Sequence, residues 1–92
     1  MSAYLVANYR INDPEEYKKY RELATGTTTG QAVVVDFDSE PLEGDAGAVT
    51  IVLRFESKEE ARAWYDSPAY QKALPHRLAS TTGVAVFAEM KF

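Results

Sequence analysis

Cysteine is absent from this 92-residue chain, and histidine occurs once, as His76. The first absence excludes disulfide frameworks, zinc knuckles, iron–sulfur clusters and thiol nucleophiles; the second excludes multi-histidine metal centres. Positive charge is also short. Ten Lys and Arg against 14 Asp and Glu leave a net charge of −4, which offers no basic field to a phosphate backbone, so nucleic acid is not an expected partner. Long apolar runs are missing too: the longest, near residues 49–53, falls far below the ~20 residues that span a bilayer. Residues 1–4 enter a strand-like pattern without the charged start of a leader, so a cytoplasmic protein without membrane contact is expected. The five glycines are scattered, with no phosphate-loop spacing and no Gly-x-Ser-x-Gly elbow. The acidic stretch from Asp36 to Asp45 lacks the calcium-loop pattern. Nothing specifies a porphyrin slot around His76, which directly follows Pro75. No cofactor or metal is expected, so any chemistry falls to aromatic hydroxyls, one imidazole and arginine.

What is present suits one domain over residues 1–92. Residues 3–11 alternate, with Ala3, Leu5, Ala7, Tyr9 and Ile11 opposite Tyr4, Val6, Asn8 and Arg10, the period of a strand. Asp13 as a cap, Pro14 at the first position and Glu15 and Glu16 in the first turn predict a helix over residues 14–24. Tyr17 and Tyr20 lie on its apolar stripe. Strands are predicted over residues 31–38 and 48–55, with turn chemistry at residues 41–47 between them. Ser57-Lys58-Glu59-Glu60 matches a capping box and predicts a helix over residues 58–66 that buries Ala61, Trp64 and Tyr65. Ser67-Pro68 opens a further turn or two carrying Tyr70, Ala73 and Leu74, with an end expected at Pro75. A last strand is predicted over residues 84–90. This order implies an α+β fold of the ferredoxin-like βαββαβ kind: a four-stranded antiparallel sheet with two helices on one face.

The strand residues Leu5, Tyr9, Val33, Val35, Phe37, Val49, Ile51, Leu53, Phe55, Val84, Val86 and Met90 are assigned to the helix-covered face. The opposite face keeps Tyr4, Val6, Ala32, Val34, Val52, Ala85 and Phe87 among Asn8, Arg10, Asp36, Thr50, Arg54 and Glu89. That is too apolar for a sheet face that meets water, so a homodimer joined sheet face to sheet face is expected.

Several segments carry a resemblance: Met1-Ser2-Ala3-Tyr4-Leu5-Val6-Ala7, Asp13-Pro14-Glu15-Glu16-Tyr17-Lys18-Lys19-Tyr20, Leu42-Glu43-Gly44-Asp45, and above all Ala63-Trp64-Tyr65-Asp66-Ser67-Pro68-Ala69-Tyr70-Gln71 with Arg77. Together they resemble the domain of unknown function 1330 family, over nearly the whole chain. The resemblance implies a dimeric α/β barrel, in a superfamily that includes cofactor-free monooxygenases, muconolactone isomerase-like enzymes and haem-binding relatives. It implies no established activity. The chain departs from the family pattern at Thr29-Gly30-Gln31-Ala32, where relatives tend to carry a glycine pair followed by a basic residue and phenylalanine.

The candidate site gathers His76 and Arg77 as catalytic groups with Tyr17, Tyr20, Trp64, Ser67 and Tyr70 as substrate-binding ones. Tyrosines around a cleft make an aromatic wall with polar handles. Arg77 can hold a carboxylate or enolate oxygen through its planar fork, and His76 can move a proton near neutral pH. That set suits isomerisation or oxygenation of a small aromatic or carbonyl compound without a metal. Each member also has a structural reading. Trp64, Tyr17 and Tyr20 suit a core, Ser67 a helix cap, His76 a surface hydrogen bond, and Arg77 a pair with Asp66 or with helix carbonyls. On that reading the protein is a non-enzymatic homodimeric ligand sensor or interaction module. A second set, Asn8, Arg10, Asp36, Arg54 and Glu89, either lines a cavity between two sheets or forms a paired network there.

Overall fold

A computed structural model describes residues 1–91. It contains β1 (Ala3–Ile11), α1 (Pro14–Ala24), β2 (Gln31–Asp36), β3 (Val49–Phe55), α2 (Lys58–Tyr65), α3 (Pro68–Ser80) and β4 (Thr81–Glu89). The strands form one antiparallel sheet in the order β2-β3-β1-β4, the ferredoxin-like arrangement with one helix more than expected.

The helix starts follow from local chemistry. Asp13 accepts a hydrogen bond from the Glu16 amide at 3.2 Å, Ser57 from Glu60 at 3.1 Å and Ser67 from Tyr70 at 3.3 Å, each satisfying an amide that has no partner within its helix. The Ser67 hydroxyl also donates to the Trp64 carbonyl at 2.7 Å, so one side chain closes α2 and opens α3. The sequence predicts an end at Pro75; instead α3 runs through it to Ser80. Pro75 sits on the solvent side of the helix, where the carbonyl that loses its donor can turn to water. Buried Ala73, Leu74, Arg77 and Ser80 on the opposite side hold the helix in place. Packing thus outweighs a penalty of about 3 kcal/mol.

The core lies between the helices and the two central strands, on Ala3, Leu5, Ala7 and Tyr9 of β1 and Val49 and Phe55 of β3. Two strand assignments need correction. In β4 the phase is reversed: Leu5 pairs with Phe87 and Ala7 with Ala85, so Ala85 and Phe87 share the helix face. Val84 and Val86 lie on the other, 68% and 54% exposed. The register is selected by Gly83, whose absent side chain lets the strand pass close to the backbone of Asn8 and Tyr9, and by the Phe87 ring against Tyr65, centroids 5.8 Å apart. In β2, an irregularity between Ala32 and Val34 places Ala32 opposite Leu53 and Val35 opposite Ile51. Val33 becomes the extra residue, and Ala32 joins the helix face.

On the open face, Val34 pairs with Val52, Val52 with Val6 and Val6 with Val86. One valine from each strand therefore forms an unbroken row across the sheet. The polar residues expected to meet on this face are satisfied locally instead. Asn8 bonds the Gly47 and Val49 carbonyls and Thr50, Arg10 holds Asp45, Arg54 bonds Ser2 and Glu56, and Asp36 accepts from the Asp38 amide. Glu89 lies on the helix side and pairs with Lys91.

Candidate functional site

Between sheet and helices lies a cleft of about 120 Å³. Its floor is Leu5, Ala7 and Tyr9 of β1 with Ile51 and Leu53 of β3. Tyr20 and Ala24 of α1 face Trp64 of α2 and Tyr70 and Arg77 of α3, with Thr28 and Ala85 completing the lining. Helix periodicity delivers these groups: Tyr20 and Ala24 stand one turn apart, and Tyr70 and Arg77 two turns apart on one stripe.

The tyrosines meet tip to tip. The Tyr9 and Tyr17 hydroxyls lie 2.7 Å apart and those of Tyr20 and Tyr70 3.0 Å apart, the latter rings in edge contact. Burial pushes the Tyr9 phenol far above the ordinary tyrosine range, and the Tyr17 hydrogen bond adds to it. Burial does the same for Tyr20, reinforced by Tyr70. Both are neutral phenols at physiological pH: hydrogen-bond donors, not bases.

Arg77 is only 8% exposed. Its guanidinium lies 5.6 Å from the centre of the Tyr9 ring and 6.0 Å from that of Tyr20. Among the described residues it forms no salt bridge, neither with Asp66, which pairs with Arg62, nor with another carboxylate. Burial opposes its charge, the oxygens of Tyr70, Tyr20 and Tyr9 favour it, and the balance leaves its pKa above that of an ordinary arginine. It therefore stays a cation. Ring faces are worth about 0.5–2 kcal/mol to a cation, against several kcal/mol for removing the charge from water. The tyrosine rings, together with the Tyr70 hydroxyl, offset part of that cost.

The other expected members sit elsewhere. Successive helix residues point about 100° apart, and in α3 it is Arg77 that takes the cleft side. His76 turns to the α1 side, where its Nδ1–H donates to the Glu16 carboxylate, and it does not line the cleft. Ser67 is occupied as the α3 cap and borders a separate shallow depression with Thr27 and Trp64. Tyr17 does not line the cleft but stands behind it, its ring 5.9 Å from that of Tyr9 and 5.5 Å from that of Tyr20. The sequence pattern assigns Tyr9 to the core alone, yet it lines the cleft. The signal that marks it is a tyrosine on a helix-facing strand position, whose buried hydroxyl requires a partner. Among the described residues, no three His, Asp or Glu side chains gather as metal ligands would.

The His76 contact has a pH consequence. The hydrogen bond from His76, opposed by partial burial and helped by Lys19, holds the Glu16 carboxyl below its ordinary value of 4.5. A carboxyl lowered by folding stabilises the native state fully above its unfolded pKa and loses that contribution as pH falls through the folded value. Thermal melts from pH 7 to pH 3 should fall more steeply for the native chain than for Glu16→Gln, with the difference confined to the region below about pH 5. Parallel curves would remove Glu16 as a source of acid sensitivity.

Over residues 2–90 the sequence matches the model of a family described as a domain of unknown function, DUF1330. The chain belongs to that family. No curated protein matches this DUF1330 chain. Among solved structures, a protein of unknown function from Rhodopseudomonas palustris, RPA0582, is similar with a TM-score of 0.77 at 14% identity, over 95% of this chain and 80% of that one. SnoaB from Streptomyces nogalater, described as a cofactor-independent oxygenase, gives 0.68 at 11% identity over 99% and 94%. A protein from Bacteroides fragilis, described as dimeric, of unknown function and ferredoxin-like in fold, gives 0.59 at 10% over 97% and 96%. At these identities the likeness is one of fold.

Proposed function

We propose that this DUF1330 protein is a small-molecule enzyme that works without a metal on a one-ring aromatic or short carbonyl compound, by isomerisation or oxygenation. The observation that carries the reading is the aromatic-walled cleft in which Arg77 is the only charged group of the lining. A substrate that enters already ionised, as its enolate, carries negative charge on oxygen. A fixed guanidinium and neutral phenols aimed at that oxygen stabilise the charge without reorganising. A cleft of about 120 Å³ is comparable to cavities of about 150 Å³ that take benzene, which limits the occupant to one ring or a short chain. The cofactor-independent oxygenase SnoaB lends support through fold.

One observation favours a second reading, a ligand sensor: neither imidazole nor carboxylate lines the cleft. The protein then supplies no base, and only a substrate acidic enough to lose its own proton is turned over.

Assembly forms part of the proposal. The valine row across the open face, with Val34, Val84 and Val86 more than a third exposed, supports a homodimer joined through these faces, packed about 10 Å apart.

Native mass spectrometry with thermal melts in a library of small aromatic and carbonyl compounds tests both parts. The expected result is a two-chain mass and ligand stabilisation that Arg77→Ala abolishes while the fold is retained. Hits are then incubated in air and analysed by mass. Conversion marks an enzyme and unchanged compound a sensor. A one-chain mass removes the dimer, and no stabilisation by any compound removes the cleft as a site.

A further inference from the structure

The cleft holds more hydrogen-bond donors than the acceptors around it take up: the Arg77 guanidinium has the Tyr70 oxygen beside it and no carboxylate. Arg77 brings five N–H groups into a space where no carboxylate meets it. The other arginines differ: Arg10, Arg54 and Arg62 each hold an acidic partner at the surface, and Arg21 lies exposed over Phe37. The phenols add to the surplus. A hydroxyl pair uses one of its two protons internally, so Tyr20 with Tyr70, both in the lining, keeps one to give inside the cleft, and Tyr9 with Tyr17 keeps one on whichever hydroxyl accepts. Among the described residues no protein acceptor takes either. The remaining lining is apolar apart from Trp64, whose indole N–H is already given to Thr27, and Thr28, whose hydroxyl accepts from the Gly30 amide.

Resting on the reading above that a small molecule enters here, we infer that the cleft is an anion site whose occupant is a compact monoanion. Its carboxylate or enolate oxygens lie on the Arg77 guanidinium and on the spare proton of the Tyr20 and Tyr70 pair, and its single ring or short chain lies against Trp64 and Leu53. One unpaired cation calls for one negative charge. A planar anion with charge spread over two oxygens matches the guanidinium fork. A dianion would leave one of its charges unpaired, and a cation would meet Arg77 with no carboxylate to receive it. The volume of about 120 Å³ suits a single ring or short chain. Because the lining contains no base, the anion arrives already formed and its proton is not taken up by the protein.

The test is calorimetric titration of the native protein with benzoate, cyclohexanecarboxylate and pyruvate, each against its neutral amide, and with benzylammonium. The expected result is that at least one acid binds tenfold or more tighter than its amide, that benzylammonium does not bind, and that Arg77→Gln erases the acid preference while Arg77→Lys keeps part of it. Acid and amide binding equally would overturn the anion assignment and leave the small-molecule reading standing. If no acid and no amide binds, both fall. Retention of the acid preference by a folded Arg77→Gln protein overturns the role of Arg77. The comparison of each acid with its amide on the native chain stands even if the variants fail to fold.

Discussion

Trp64→Ala is expected to cost about 3–5 kcal/mol of folding stability, the range for emptying a large aromatic from a core. Trp64 is 6% exposed and holds three rings together, with centroids 4.3 Å from Tyr70, 5.5 Å from Phe55 and 6.2 Å from Tyr65. Its indole N–H donates to the Thr27 hydroxyl at 3.2 Å, the side-chain hydrogen bond that ties the α1–β2 connection to α2. The cavity cannot collapse easily, because Phe55 is anchored on the sheet and Tyr70 is held by Tyr20. Against a total of about 5–15 kcal/mol for a small protein, the loss is a large fraction. Denaturant titration measures it, with Trp64→Phe as a control that refills most of the space and lacks only the hydrogen bond, for an expected cost of about 1–2 kcal/mol. A cost below about 1 kcal/mol for the alanine variant would mean that the helix layer does not depend on this ring.

The second large effect is expected at Gly83. A methyl group there would overlap the Asn8 carbonyl oxygen and the Tyr9 Cα. These are backbone atoms of the central strand and cannot swing aside as a side chain could, so Gly83→Ala must push β4 from β1. The expected cost is about 3 kcal/mol or more, at the upper end for overpacking, visible as a lowered melting temperature and early amide exchange along β4. Gly44→Ala provides the contrast. Gly44 has φ of 74° with open space around it, so the only penalty is the left-handed backbone, about 1–2 kcal/mol, in an exposed turn. If both variants melted alike, close approach would not be what Gly83 serves.

The fold is legible in the sequence wherever one local rule acts alone. The alternation of residues 3–11, the Asp13-Pro14 start and the Ser57 and Ser67 caps all lead to elements with matching starts. Legibility fails where two signals compete. At Pro75 the proline rule is opposed by burial of Ala73, Leu74 and Arg77 against their neighbours, and burial is stronger. In β4 both faces are apolar, so the alternation Val84-Ala85-Val86-Phe87 identifies a strand without saying which way it faces. That depends on the fit of Gly83 beside Tyr9, a contact between residues 74 positions apart. For the site, Tyr20, Trp64, Tyr70 and Arg77 meet around one cleft, while the neighbouring His76 turns to Glu16 instead. Tyr9 reads as core in the sequence because burial and a polar task coincide in one side chain.

The single tryptophan of the chain stands in the wall of the one cleft whose lining includes the buried arginine. Any occupant of the cleft therefore comes against the only indole in the molecule. Its emission is expected to change when the cleft fills, so the protein carries its own optical probe, and a ligand can be followed in real time without a label or an assay for its chemistry.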